Sequence, residues 1–312
     1  MRIVFMGTPD FAVPSLRTLH EAGHDIAYVV TAPDKKRGRG QQLSPTPVKA
    51  AAEEMGLTVM TVDALRDPAF AAALRACDAE LFVIVAFRIL PEEVFTIPSI
   101  GSFNLHASLL PRYRGAAPLN WVLINGDAES GVTTFFLRKK VDTGNMLLQE
   151  RVPVDENMTA GELHDVLADI GARTVLRTVE MIAEGKAVPR PQDDTLATPA
   201  PKIFRETCAI PWEKAAREVH NHIRGLSPHP AAWTMLHDAE MKILESRVAE
   251  ESSSGSPGTL ISTVPELHVQ CGSGSVLIRQ LKPEGRKQMS AEEYLRGHRL
   301  EVGERFDSAP VH

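Results

Sequence analysis

The 312-residue sequence contains no long apolar run: the longest, Leu81 to Phe87, is seven residues, against about twenty for a helix that crosses a bilayer. Arg2 is followed by only four apolar residues before Gly7, too few for the apolar stretch of a signal peptide, so a cytoplasmic protein without membrane association is expected. Cysteine is scarce. Cys77, Cys208 and Cys271 are odd in number, far apart and outside any Cys-x-x-Cys or Cys/His ligand spacing, which excludes a disulfide framework and the common zinc sites. His220 and His222 lie close together but lack a third partner, so no metal is expected. No Gly-x-Gly-x-x-Gly follows the first strand and no Gly-Lys-Ser/Thr occurs anywhere, so neither dinucleotide nor triphosphate cradling is supported. Gly7 reads instead as a tight strand-to-helix turn. The formal net charge is −6, which argues against a non-specific nucleic-acid binder, a class that carries a large positive total.

With 43% hydrophobic and 24% charged residues the chain is nonetheless an ordinary globular one, and its length suits two domains. The first half alternates β-rich runs at Arg2–Met6, Asp25–Thr31, Leu57–Val62, Glu80–Ala86 and Gly101–His106 with helical patterns at Asp10–Ala22, Val48–Met55 and Pro68–Ala76. That alternation predicts an α/β fold, a doubly wound and mostly parallel Rossmann-like sheet. Two more strands, Gly131–Lys139 and Asn145–Pro153, flank a Val-Asp-Thr-Gly turn. Thr159-Ala160-Gly161-Glu162 is a capping box, and apolar residues from Leu163 to Ile182 keep a helical period behind it. Residues 189–206, with Pro189, Pro191, Pro199 and Pro201, read as an extended linker between a first domain at 1–188 and a second at 207–312. One helix and five short β runs beyond the linker predict a smaller β-barrel, a class that includes oligonucleotide-binding barrels. The tail after Glu304 is expected to fray.

Two local basic stretches stand out against the acidic total. Between Pro33 and Lys49, the residues Lys35, Lys36, Arg37, Arg39 and Lys49 face only Asp34; between Arg279 and Lys287, the residues Arg279, Lys282, Arg286 and Lys287 face only Glu284. Either can neutralise phosphates, or simply serve as solvated surface.

Chemistry concentrates in Ser102-Phe103-Asn104-Leu105-His106-Ala107-Ser108-Leu109-Leu110-Pro111. Asn104 and His106 are two apart on a strand and so share a face at its carboxyl end, the edge where open α/β sheets bind ligands. An amide beside an imidazole can stabilise the oxyanion that develops at an attacked carbonyl, and histidine moves protons near neutral pH. Asp142, in the Val-Asp-Thr-Gly turn, is the candidate partner for that imidazole. A strand-end histidine satisfied by packing is the alternative. No Gly-x-Ser-x-Gly elbow surrounds Ser108, so direct transfer is favoured over a covalent enzyme intermediate.

These segments resemble the folate-dependent formyltransferases. The likeness rests on Ser102–Gly115, the Val-Asp-Thr-Gly turn and the opening Met6-Gly7-Thr8-Pro9-Asp10-Phe11, and it extends through Pro33–Lys49, Ile210-Pro211-Trp212 and Lys287–Ala291. It implies transfer of a formyl group from 10-formyltetrahydrofolate, as co-substrate and without a metal, to the α-amino group of methionine on initiator tRNA. On that pattern Asn104, His106 and Asp142 are the catalytic set, and Ser108, Leu109, Leu110 and Pro111 line the folate site. Lys35, Lys36, Arg37 and Arg39 grip the acceptor end of the tRNA while Lys282, Arg286 and Lys287 hold its acceptor limb, in an enzyme expected to be a monomer. The shorter Asn-x-His signal is shared with formyltransferases of amino-sugar nucleotides. An RNA-binding protein without catalysis is a further alternative. Where many members of the family carry Tyr-Gly after the fourth strand, this chain has Phe87-Arg88, which adds a long cation beside the expected folate pocket.

Overall fold

A computed structural model describes residues 1–37, 42–249 and 255–307. β1 (Arg2–Gly7) turns through a 3-10 segment, Asp10–Ala12, into α1 (Val13–Glu21) and β2 (Asp25–Thr31). The next stretch, expected as a loop, holds a hairpin of β3 (Lys35–Arg37) on β4 (Gln42–Ser44). Then follow α2 (Pro47–Glu54), β5 (Val59–Thr61), α3 (Pro68–Ala76), β6 (Leu81–Val85), α4 (Glu92–Phe95) and β7 (Gly101–His106). The chain continues through β8 (Arg114–Gly115), α5 (Pro118–Ile124), β9 (Glu129–Phe136), β10 (Met146–Pro153) and α6 (Ala160–Ala183). It ends with β11 (Pro199–Ala200), α7 (Ala216–Leu226), β12 (Ala232–Leu236), β13 (Ala239–Ala249), β14 (Leu260–Ser262), β15 (Leu267–Gln270), β16 (Ser275–Pro283), β17 (Met289–Ser290) and α8 (Ala291–Gly297). Among the described residues no helix is long and apolar enough to cross a membrane.

Two compact units result. The first comprises Met1–Gly115, Gly131–Val152 and His164–Pro199; the second comprises Ala116–Ser130, Pro153–Leu163 and Ala200–His312. Segments 116–130 and 153–163 thus join the C-terminal unit, whereas a boundary at 189–206 assigns them to the first. The reason lies in α7. Its buried Arg224 guanidinium needs acceptors and finds the carbonyls of Asp155 and Met158, each at 3.1 Å. Asn120 of α5 donates to the Gly225 carbonyl at 2.8 Å. A buried cation without such partners would be costly.

The first unit is built on a seven-stranded sheet in the order β10-β9-β7-β6-β1-β2-β5. Five strands are parallel and β9 runs antiparallel to β7. All five residues of β6 are buried, as a central parallel strand requires. Alternate residues Val4, Met6, Phe82 and Ile84 form one core with Phe70 and Leu74 of α3. Helix starts are set locally: Thr46 accepts from the Lys49 amide and Asp67 from the Ala69 amide, each ahead of a proline at the first helical position. The polypeptide order reverses between β1 and β6, so β7 delivers its carboxyl end to the edge where ligands bind.

In the second unit an antiparallel sheet runs β12-β13-β16-β15-β14, with β17 on β16. The tail does not fray before Asp307. Residues 303–306 exchange hydrogen bonds with Gly258 and Leu260 ahead of and within β14, and Asp307 pairs with Met235 of β12. One short segment therefore spans both edge strands and closes the sheet, which removes its open edges. Trp212 stacks on Phe306 of this segment with ring centroids 5.7 Å apart, and its indole donates to Thr234.

His222 of α7 is buried beside this core, with Nε2 lacking a partner among the described residues. Burial pushes its pKa down from 6.5 to about 4. Above pH 6.5 the ring is neutral in folded and unfolded chains alike. As pH falls from 6.5 toward 4 only the unfolded chain takes the proton, so stability drops, by up to about 3 kcal/mol. Urea unfolding between pH 7 and 4.5 should show a shallower loss for His222→Asn than for the unsubstituted protein; parallel slopes would assign the acid sensitivity to other groups.

Candidate active site

β7 ends in Asn104-Leu105-His106. Its pleat turns Phe103 and Leu105, both buried, to one face and Asn104 and His106 to the other. His106 Nε2 lies 2.8 Å from the carbonyl oxygen of Tyr113. A carbonyl only accepts, so Nε2 carries the proton, and in the neutral ring Nδ1 is bare. That bare nitrogen is 3.9 Å from Asp142 Oδ2, with the two side chains 7% and 11% exposed. The gap is too long for a hydrogen bond and short enough for an imidazolium and a carboxylate to form an ion pair in a shielded site. Among the described residues the half-buried Asn104 amide has no hydrogen-bond partner, so both of its donors are free for a ligand.

The Tyr113 carbonyl is aimed by a braced turn. Tyr113 sits at φ +60°, in the left-handed region, and its amide donates to Thr198 Oγ1 at 2.8 Å. Ser108 Oγ donates to the Arg112 carbonyl at 2.7 Å. Thr133 Oγ1 donates to the Ser108 carbonyl at 2.7 Å and accepts from the Leu110 amide at 3.1 Å. Gln149 Nε2 donates to the Leu110 carbonyl and to Thr133 Oγ1, both at 3.0 Å.

Asp142 is held on the opposite turn, also in the left-handed region at φ +54°, a conformation aspartate tolerates better than most residues. Its Oδ2 accepts from the Gly115 amide at 2.9 Å. Gly144 completes the turn where nothing larger fits: a Cβ there would stand 1.5 Å from the Phe136 carbonyl oxygen.

Of the four residues expected to line the folate site, Ser108 and Leu110 are buried and Ser108 spends its hydroxyl on the turn. Leu109 and Pro111 alone are partly exposed, so of the four only these two leave side-chain surface open to a ligand. The added cation of Phe87-Arg88 is tied down. Arg88 donates to the carbonyls of Asp63, at 2.6 Å, and Val62, and its guanidinium lies 5.4 Å over the Phe87 ring. It braces the segment after β5.

The basic residues divide between the two units. Lys35 is exposed on β3; Lys36 and Arg37 continue that strand, and Arg39 lies outside the described residues. Lys49 is not available to phosphate: it binds both carboxylate oxygens of Asp34, at 2.8 and 2.9 Å, and this bond raises its pKa. Lys282, Arg286 and Lys287 are exposed at the β16–β17 end. Arg279 pairs with Glu266 at 3.1 Å. Lys242, which sequence reasoning passed over, stands opposite Lys282 in the register of β13 and β16. Two like charges facing each other across a ladder are unfavourable until an anion joins them. Thr133, Gln149 and Thr198 were also missed, since no local motif marks a residue whose partner is 16 to 85 positions away. His220 is satisfied by Ser246 and the Glu156 carbonyl, each at 3.0 Å.

Gly144→Ala should displace the Asp142 turn, lower stability by about 1–3 kcal/mol and reduce turnover at least tenfold. Thermal melting and a steady-state assay check this; normal turnover would show that the turn tolerates a side chain.

Comparison with known proteins identifies the family. The formyl transferase family matches residues 1–179, and the formyl transferase C-terminal domain matches residues 202–299. Methionyl-tRNA formyltransferase of Chlorobium luteolum is 48% identical over 310 residues, covering 97% of this chain and 99% of that one. The enzyme of the same name from Moorella thermoacetica is 45% identical over 306 residues, covering 97% and 98%. Two solved structures share the fold. WlaRD, a sugar 3N-formyltransferase solved with dTDP and 5-N-formyl-THF, superposes with a TM-score of 0.68 at 21% identity, over 92% of this chain and 99% of that one. HypX from Aquifex aeolicus, in complex with tetrahydrofolic acid, gives 0.65 at 18% identity, over 95% of this chain and 47% of that one. On both matched domains and on near-full-length likeness to methionyl-tRNA formyltransferases, the chain belongs to the formyl transferase family.

Proposed function

We propose that the chain transfers the formyl group of 10-formyltetrahydrofolate to the α-amino group of methionine carried by initiator tRNA, in the cytoplasm and as a monomer. The observation that carries this reading is the unpartnered Asn104 amide beside an imidazole whose Nδ1 faces Asp142 at 3.9 Å. The formylated folate is a co-substrate, consumed at each turnover. The amine attacks the formyl carbon, a C–N bond forms, and the carbonyl electron pair moves onto oxygen. Asn104 Nδ2–H and the Nδ1–H of protonated His106 donate to that oxygen. Asp142 opposes the imidazolium charge and takes the proton released by the amine, directly or through one water. On collapse the bond to the folate nitrogen breaks, His106 gives its Nδ1 proton to the leaving nitrogen, and the proton held by Asp142 passes to Nδ1 to reset the pair. No bond to the enzyme forms, in keeping with a Ser108 hydroxyl already engaged.

Lys35, Lys36, Arg37 and Arg39 on the first unit grip the acceptor end, and Lys282, Arg286 and Lys287 with Lys242 on the second hold the acceptor limb. Local positive charge lets a net acidic protein bind RNA through phosphate contacts.

The protein, formylated folate and charged initiator tRNA should yield formyl-methionyl-tRNA, with elongator methionyl-tRNA a poorer substrate. His106→Ala should lower kcat by about 10²–10⁴ and Asn104→Ala by about 10²–10³, with tRNA affinity retained. Binding should weaken steeply as salt rises. Full activity of His106→Ala would remove the imidazole from the mechanism. Activity on an amino-sugar nucleotide, without the salt dependence, would reassign the acceptor, and tRNA binding indifferent to folate with no product would leave only an RNA-binding protein.

A further inference from the structure

The stretch that composition marks as a plain linker is strapped to the first unit. Met146 and Arg190 exchange two backbone hydrogen bonds of 2.8 Å. Two residues on, the Gln192 side chain reaches the catalytic turn. Its Nε2 donates to the Asp142 and Gly144 carbonyls, both at 2.9 Å. Its Oε1 accepts from Arg114 Nε at 3.1 Å and from Nη2 at 2.7 Å. Arg114 in turn binds Asp194 at 2.6 Å, and its amide donates to the Thr198 carbonyl at 2.9 Å. Thr198 Oγ1 is the same hydroxyl that holds the Tyr113 amide. The strap therefore touches both turns, the one that aims the imidazole and the one that carries the carboxylate.

We propose that Gln192 is a positioning residue: its amide, clamped by Arg114, fixes the Asp142–Gly144 turn and so sets the distance between Asp142 and His106. The inference rests on the catalytic reading of Asp142 given above. The chemistry selects an amide. Two N–H donors meet two carbonyls while two lone pairs meet two guanidinium N–H groups, so every capacity of the side chain is used. Glutamate keeps the acceptor and loses both donors, facing two carbonyls with negative charge. Leucine keeps the volume and loses everything polar. Asparagine is one methylene too short. Asp142 rests in a left-handed conformation that persists only while its surroundings hold it there, and Gly115 N–H alone would let the turn pivot about the carboxylate.

The test is steady-state kinetics of the full chain with Gln192→Leu and Gln192→Glu, each also combined with Asp142→Asn. Both single variants should lose 10- to 100-fold in kcat while KM for either substrate stays within twofold. In the Asp142→Asn background the same substitutions should cost less than threefold, because the carboxylate they position is already gone. Arg114→Lys, which keeps the charge for Asp194 and loses the fork, should show a smaller loss of the same kind. Two results overturn the inference: kcat within twofold of the unsubstituted protein, or an equal loss in both backgrounds, which marks a general structural role. If Gln192→Leu fails to fold, Gln192→Glu and Arg114→Lys carry the same comparison. Full activity of Asp142→Asn by itself would instead overturn the catalytic reading, and this inference with it.

Discussion

One hydrogen bond governs the chemistry assigned to this protein: the bond from His106 Nε2 to the Tyr113 carbonyl, 2.8 Å long. It commits the ring's resident proton to a main-chain acceptor and leaves Nδ1 facing Asp142. Were the tautomer reversed, the nitrogen directed at the carboxylate would already be protonated in the neutral ring and could take up no proton there. Much of the surrounding structure serves this choice. Thr133, Gln149, Ser108 and Thr198 hold the turn that presents the carbonyl, and Gly144, Gly115 and Gln192 hold the turn that presents the carboxylate. A rigid main-chain acceptor suits the task because it neither titrates nor rotates, so the orientation survives changes of charge during the reaction.

The polar resources of the site are divided by burial. His106 and Asp142 are nearly closed off from solvent, where a charge acts strongly on its neighbour, while Lys35 on the first unit and Lys282, Arg286 and Lys287 on the second are exposed. On the proposed function, that separation lets a chain of net charge −6 combine a shielded transfer site with phosphate contacts. It also explains why Arg88 and Lys49, both conspicuous in the sequence, play other parts. Each is consumed by nearby acceptors, Arg88 by main-chain carbonyls and Lys49 by Asp34, and acts as a brace.

Much of the fold is legible in the sequence because its signals are local. Asp25–Thr31, Gly101–His106 and Pro68–Ala76 begin and end where the residue pattern indicates, each bounded by turn residues, caps or proline. The pairing of Asn104 with His106 follows from strand alternation alone. Other features have no local signature. The β3–β4 hairpin pairs Lys-Lys-Arg with Gln-Leu-Ser and shows no apolar alternation. α4 and α5 span four and seven residues, too few for a helical period to show. The tail segment that closes the second sheet spans only residues 303–307, and its role depends on which strands lie at the edges. In the site, the residues missed are those that act through main-chain atoms or across long separations: the Tyr113 carbonyl, Thr198 and Gln192. Segments 116–130 and 153–163 join the second unit for a comparable reason, since Asn120 meets the Gly225 carbonyl and Arg224 the carbonyls of Asp155 and Met158 only once the chain has folded.

The most direct measurement is the tautomer of His106. Nitrogen NMR of protein labelled at histidine, with His106 assigned by the signal lost in His106→Gln and read at a pH where its ring is neutral, separates the two nitrogens. The expected result is a proton on Nε2 and a bare Nδ1. A proton on Nδ1 with Nε2 bare would contradict it, because the Tyr113 carbonyl could then hold nothing and the nitrogen facing Asp142 would have no proton left to gain.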